Sequence, residues 1–132
     1  MILVDTSVLL DVLSDDVRWR SWSKAHLIDA ADQDELAIND IVYAELSIGY
    51  GAPVDLDAVL VEWRLKLQPI SSLGLFRAGK AFQRYRKQGG VKTGVLSDFF
   101  IGAHATVEGW RLLTRDPGRI KTYFPDVALI AP

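Results

Sequence analysis

A chain of 132 residues can bury one hydrophobic core but not two, so residues 1–132 are read as a single domain. Its 49% hydrophobic and 24% charged content excludes a disordered chain, and its zero cysteines exclude disulfides, thiolate metal sites and a cysteine nucleophile. A net charge of -2 argues against a nucleic-acid partner only until the charges are mapped, because residues 1–62 hold 13 acids and 3 bases whereas residues 63–97 hold 8 bases and no acid. The bases Arg77, Lys80, Arg84, Arg86, Lys87 and Lys92 can neutralise phosphates while acids elsewhere hold cations, although a solvated helix face has the same pattern.

In chain order, Ile2 to Asp5 is an apolar run suited to a buried strand, with no basic segment before it. Neither a signal peptide nor a membrane span is expected, and a soluble, cytoplasmic protein is. Thr6 or Ser7 can cap a helix through Val8, Leu9, Val12 and Leu13. A second helix is predicted from Asp15 to about Ala31, then a short strand at Glu35–Ile38. Asn39-Asp40 caps a third helix, Ile41 to Tyr50, which stops at Gly49, Gly51 and Pro53. Asp55–Leu67 and Leu73–Lys87 read as two amphipathic helices, the second closed by Gly89-Gly90. Ser97-Asp98 looks like the start of a helix running to Gly109, followed by strand candidates at Arg111–Thr114 and Val127–Ile130. Strands alternating with helices predict an α/β domain with a central, mainly parallel sheet, whose ligands bind beyond the carboxyl ends of the strands.

Four acids stand out against that frame. Asp5 ends the first strand, and Asp116 follows the Leu112-Leu113-Thr114 strand closely, although Asp5-Thr6-Ser7 is also a helix cap and Asp116-Pro117-Gly118 an ordinary turn. Glu45 lies among Ile41, Val42, Ala44, Leu46 and Ile48, which leave its helix almost no polar face. No Lys or Arg occurs between Lys24 and Arg64 to serve as a local partner, and an unpaired buried carboxylate costs several kcal/mol. Asp98 heads another apolar helix, where a capping role is the alternative. If the four converge, two like charges about 4 Å apart oppose each other by around 4 kcal/mol at an effective dielectric near 20, and a divalent cation resolves the conflict. All-oxygen ligation selects Mg²⁺ or Mn²⁺, whereas zinc recruits His or Cys. Only His26 and His104 are present, and His104, six positions after Asp98, is rotated about 120° from it on a helix and set between alanines, as a core histidine would be. Ser7 and Thr114 can hydrogen-bond to the acids or to a metal-held water, or merely satisfy backbone groups.

Asp5-Thr6-Ser7, Glu45 in Tyr43-Ala44-Glu45-Leu46, Asp98 in Ser97-Asp98-Phe99-Phe100-Ile101-Gly102-Ala103-His104-Ala105, and Thr114-Arg115-Asp116 fall in one order. Together they resemble a PIN-domain ribonuclease over nearly the whole chain, and most closely the VapC-type toxins of type II toxin–antitoxin pairs. One departure is Ser97, where many such sequences carry proline; a helix start accommodates either. The resemblance implies a three-layer α/β/α fold in which Asp5, Glu45, Asp98 and Asp116 line one catalytic pocket binding Mg²⁺ or Mn²⁺. In it Asp5 and Asp98 would be the principal metal ligands, Asp116 would support the site, and Glu45 would position metal or water. It further implies endonucleolytic cleavage of RNA, often transfer or ribosomal RNA, inhibition by a VapB-type antitoxin, operator DNA bound only through that complex, and a homodimer. Leu9, Leu13, Trp19 and Trp22 could form an apolar surface for an antitoxin helix, though such spacing is more often core. The Gln88–Gly94 loop is a candidate for substrate choice.

Two other readings compete. An aspartate-nucleophile phosphotransferase would also place an acid at the end of its first strand, but haloacid-dehalogenase-like enzymes carry a second Asp two residues on, where this chain has Ser7. In a non-catalytic binding module the four acids would only cap helices and turns.

Overall fold

The computed structural model describes residues 1–92 and 94–132; Thr93, within the Gln88–Gly94 loop, lies outside the described residues. Among the described residues five short strands, β1 Ile2–Val4, β2 Leu36–Ile38, β3 Leu65–Leu67, β4 Arg111–Leu113 and β5 Leu129–Ile130, form one sheet in the order β3-β2-β1-β4-β5. Every pairing is parallel. Ile2, Leu3, Val4, Ala37, Ile38, Leu112 and Leu113 are fully buried. Successive strand residues point to opposite faces, so burial of all of them means that both faces are covered, which makes three layers, α/β/α.

The covering elements are α1 Thr6–Leu13, α2 Arg20–Gln33, α3 Asp40–Ser47, α4 Pro53–Glu62, α5 Ser72–Lys87, α6 Leu96–Glu108 and α7 Gly118–Tyr123. Helix α1 packs on α2, while α5 and α7 pack on α6. Phe99, fully buried in α6, organises the second group, its ring centroid lying 5.7 Å from Phe82, 5.5 Å from Tyr85, 5.1 Å from Tyr123 and 6.3 Å from Phe124. Burying such a ring stabilises the fold by roughly 1.5–3 kcal/mol, and it fixes the neighbouring Asp98 against α7. Helix α7 comes this close because Gly102 lacks a side chain: a Cβ there would lie 2.3 Å from the Phe124 ring. No helix among the described residues is long and apolar enough to cross a membrane.

Register sets the position of the functional edge. Val4 pairs with Leu113, and the Asp5 N–H donates to the Leu113 carbonyl (2.9 Å), so Asp5 and Thr114 leave neighbouring strands side by side. One strand over, Asn39 follows β2 and caps α3, its Oδ1 accepting from the N–H groups of Ile41 (3.1 Å) and Val42 (3.0 Å).

Several sequence expectations need correction. The second helix begins at Arg20 rather than Asp15, because Asp15 takes a left-handed φ of 56° and the Asp16 carboxylate accepts from the N–H groups of Arg18 (2.9 Å) and Trp19 (2.7 Å), closing a turn between α1 and α2. The helix expected over Asp55–Leu67 ends at Glu62; Arg64 turns left-handed (φ 54°) and Leu65–Leu67 becomes an edge strand paired with β2. Helix α7 occupies a segment for which no element was predicted. Leu9 is fully buried and so belongs to the core rather than to a surface for an antitoxin helix, whereas Leu13, Trp19 and Trp22 are partly buried.

Candidate active site

The two helix-cap alternatives, for Asp5 and for Asp98, can be tested directly. Asp5 occupies the N-cap position of α1, yet its side chain makes no capping hydrogen bond. Its Oδ2 instead accepts from the hydroxyls of Ser7 (2.9 Å) and Thr114 (2.7 Å). Asp98 lies inside the first turn of α6, whose N-cap residue is Val95, where the helix dipole favours an anion. Its Oδ2 accepts from Arg119 Nη1 at 2.7 Å. Glu45, half-buried on α3, accepts from the Thr6 hydroxyl at its Oε1 (2.8 Å).

Electrostatics brings three of the four acids together. Burial pushes the Asp5 carboxyl above its ordinary 3.8, against hydrogen bonds from Thr114 and Ser7, and the charge of Asp98 raises it further. Burial likewise raises Glu45 above its ordinary 4.5; the Thr6 and Ser97 hydroxyls oppose this, and the charges of Asp5 and Asp98 add to it. Asp98 therefore acts on both Asp5 and Glu45, and Asp5 on Glu45, although the three come from the end of β1, from α3 and from α6. Asp116 is set apart. Its side chain is 68% exposed, with Arg115 Nη1 at 3.5 Å, on the wall of an open cleft of about 570 Å³ shared with Arg115, Arg119, Tyr85 and Tyr123. The backbone explains why: the Asp116 N–H donates to Thr114 Oγ1 (3.1 Å), and Pro117-Gly118 then turns the chain into α7.

The donor set suits a hard dication. Three carboxylates meet hydroxyl groups and, among the described residues, a single cationic contact, Arg119 on Asp98. The side chains are not arranged as a finished cage, since among the described residues no group of three or more Asp, Glu or His stands ready to share one ion. Thr114 is fully buried and joins the acids through its hydroxyl, which donates to Asp5 and accepts from the Asp116 N–H. Ser7 does the same, accepting from the Arg115 N–H at 3.3 Å while donating to Asp5.

His104 is only 1% exposed. Because Asn39 Oδ1 is engaged in the α3 cap, Asn39 Nδ2 donates to His104 Nδ1 (3.2 Å), which places the ring proton on Nε2, a buried atom with no partner among the described residues. Burial lowers the pKa of this imidazole, and the ring serves the core beside Trp110 rather than the acids.

Sequence reasoning gave four side chains no part in holding acids and passed over a fifth, the acid Asp11. Thr6 holds Glu45, Arg119 holds Asp98, and Arg115 joins Ser23 on a buried acid, Asp11, which is 2% exposed. Asp11 Oδ2 accepts from Ser23 Oγ (2.6 Å) and Arg115 Nε (2.9 Å). A signal existed for Asp11, since it follows Val8 by three positions on the apolar face of α1 and so required a buried partner.

A parallel sheet with an acidic cluster beyond the carboxyl ends of its strands defines a class of α/β proteins that act on ligands at that edge. The PIN domain family matches residues 2–125, and the chain belongs to that family. A search among curated proteins returns no match. Among solved structures the fold is similar to VapBC2 from Rickettsia felis bound to a DNA fragment from its promoter (23% identity, all of this chain and 99% of that one, TM-score 0.74). It is also similar to VapBC-1 from nontypeable Haemophilus influenzae (20% identity, 99% and 98% of the two chains, TM-score 0.72). A third similar structure is Mycobacterium tuberculosis VapC20, a sarcin-ricin loop cleaving toxin (14% identity, 97% and 99%, TM-score 0.64).

Proposed function

We propose that this chain is a Mg²⁺- or Mn²⁺-dependent endoribonuclease acting as the toxin of a type II toxin–antitoxin pair. The observation that carries the reading is the meeting of Asp5, Glu45 and Asp98, from three separate elements, where the charge of Asp98 raises Asp5, those of Asp5 and Asp98 raise Glu45, and one guanidinium is the cationic contact among the described residues. Membership of the PIN family and the likeness of the fold to VapBC proteins support it.

In this reading Asp5 and Asp98 would hold the cation, Glu45 would orient it or a water, and Asp116 would add charge from the cleft side. The cation supplies a polarised water and positive charge for the phosphodiester oxygens. The protein contributes orientation: Ser7 and Thr114 fix the Asp5 oxygen, and Thr6 fixes Glu45. The exposed bases of α5, with Arg84 over Tyr123 (5.4 Å) and Arg86 over Phe82 (5.7 Å), provide phosphate contacts beside aromatic rings for an RNA strand, with transfer or ribosomal RNA as the expected substrate. A VapB-type antitoxin would inhibit the enzyme and carry the complex to operator DNA, and a homodimer in the cytoplasm is the form expected.

Purified Asp98→Asn should fold normally and lose metal-dependent cleavage of transfer or ribosomal RNA. Undiminished cleavage by that variant would rule out the assigned role. Co-expression with a small neighbouring reading frame should relieve toxicity if the antitoxin assignment is right.

A further inference from the structure

Arg119 brings the only cationic side chain that, among the described residues, touches the three-acid neighbourhood. Its Nη1 lies 2.7 Å from Asp98 Oδ2, although the two residues sit on different helices. The guanidinium is 5.8 Å from the Tyr85 ring centroid, and it lines the open cleft with Arg115 and Asp116. Both partners keep access to solvent, the Arg119 side chain at 28% and Asp98 at 39%. The pair is thus formed at a boundary where it can open, unlike the Asp11–Arg115 pair, in which the acid is buried.

The guanidinium neutralises Asp98 through Oδ2, and a dication seeking the same carboxylate must compete with that positive charge, whether it displaces the donor or takes the other oxygen. Asp5 and Glu45 present no such obstacle, since their partners are neutral hydroxyls that remain compatible with a bound cation. We propose that Arg119 is a built-in competitor for the dication: it neutralises Asp98 when no ion is held and yields Asp98 when one binds, which sets a threshold concentration for loading the site. The inference rests on the cation site proposed above. It accounts for why the acids are near neighbours yet do not stand as a finished ligand set. On release the guanidinium remains on the cleft wall beside Tyr85, free to meet another anion.

The test is calorimetric titration of the full chain with MnCl₂ at low ionic strength, comparing wild type with Arg119→Gln and Arg84→Gln. Removing an opposite charge in contact with a carboxylate changes its affinity for a competing cation by about tenfold or more, so Arg119→Gln should bind Mn²⁺ about that much more tightly. Arg84→Gln deletes the same charge from a guanidinium that rests on Tyr123, and its affinity should stay near wild type. Arg119→Met, whose stem can still pack beside Tyr85, repeats the measurement should the glutamine variant not fold. Equal or weaker binding by the Arg119 variants, or equal tightening by Arg84→Gln, overturns the competition. Absence of Mn²⁺ binding in every protein overturns the cation site itself, whereas binding by the Arg119 variants alone supports the competition in its strongest form.

Discussion

Asp11 and Asp5 are acids at opposite ends of one short stretch of chain, and their surroundings differ in kind. Asp11 is sealed in, and its charge is answered by the Arg115 guanidinium and the Ser23 hydroxyl. Asp5 has two hydroxyl partners and no cationic one among the described residues, and its carboxyl is pushed upward by burial and by Asp98. Burial alone therefore does not mark a functional acid: Asp11 and Asp5 are both buried, but only Asp11 has its charge sealed in with a guanidinium. Asp11 is structural, bracing the loop that carries Thr114 and Asp116, whereas Asp5 is left with charge to spare for a cation.

The comparison breaks most visibly at Asp11. Asp11→Ala should destabilise the protein by about 3 kcal/mol in denaturant unfolding, the low end for breaking a buried pair, because Arg115 reaches solvent in part. Asp5→Asn should do the reverse. A carboxyl whose folded pKa is raised contributes stability that is complete below its unfolded value and lost as pH rises through the folded one. Near pH 7 and without dications, then, Asp5→Asn should be at least as stable as wild type, while RNA cleavage falls by about 100-fold or more, beyond what loss of a mere supporting contact produces. A drop in stability matching that of Asp11→Ala would erase the distinction.

Thr114→Val sharpens the same contrast at smaller scale. It removes the donor to Asp5 and the acceptor of the Asp116 N–H, and should cost about tenfold in cleavage and about 1 kcal/mol in stability. His104 supplies the smallest effect and an opposite pH sign. Its folded pKa lies below the ordinary 6.5, so its contribution is present above that value and lost as pH falls through it toward the folded pKa. His104→Gln should flatten this mildly acidic limb of the stability profile and leave the carboxylate-dependent behaviour in place, as paired denaturation series across pH would report.

Much of this arrangement was legible in the sequence, and the exceptions have physical causes. Asp5 and Thr114 could be placed because apolar runs announce buried parallel strands whose ends share an edge. Glu45 could be singled out because its helix offered no polar face and no local cation. Strand β3 was hidden because Leu65 and Leu67 extend the apolar spacing of α4, and only pairing with β2 makes them a strand. Helix α7 was hidden behind Pro117-Gly118, a turn sequence, and gains its place from Ile120 and Phe124 packing in the core. The Asp98–Arg119 pair joins two helices through tertiary packing alone, so no local spacing rule reveals it.

The central claim is that Asp5, Glu45 and Asp98 form an undercompensated cluster that takes up a divalent cation. Thermal unfolding of wild type and Asp5→Asn across a MnCl₂ series tests it most directly, because an ion that binds only the folded state raises Tm in a saturable way. Saturable stabilisation of wild type that disappears in Asp5→Asn is the predicted result. A wild-type Tm indifferent to Mn²⁺, or an identical rise in both proteins, would contradict it.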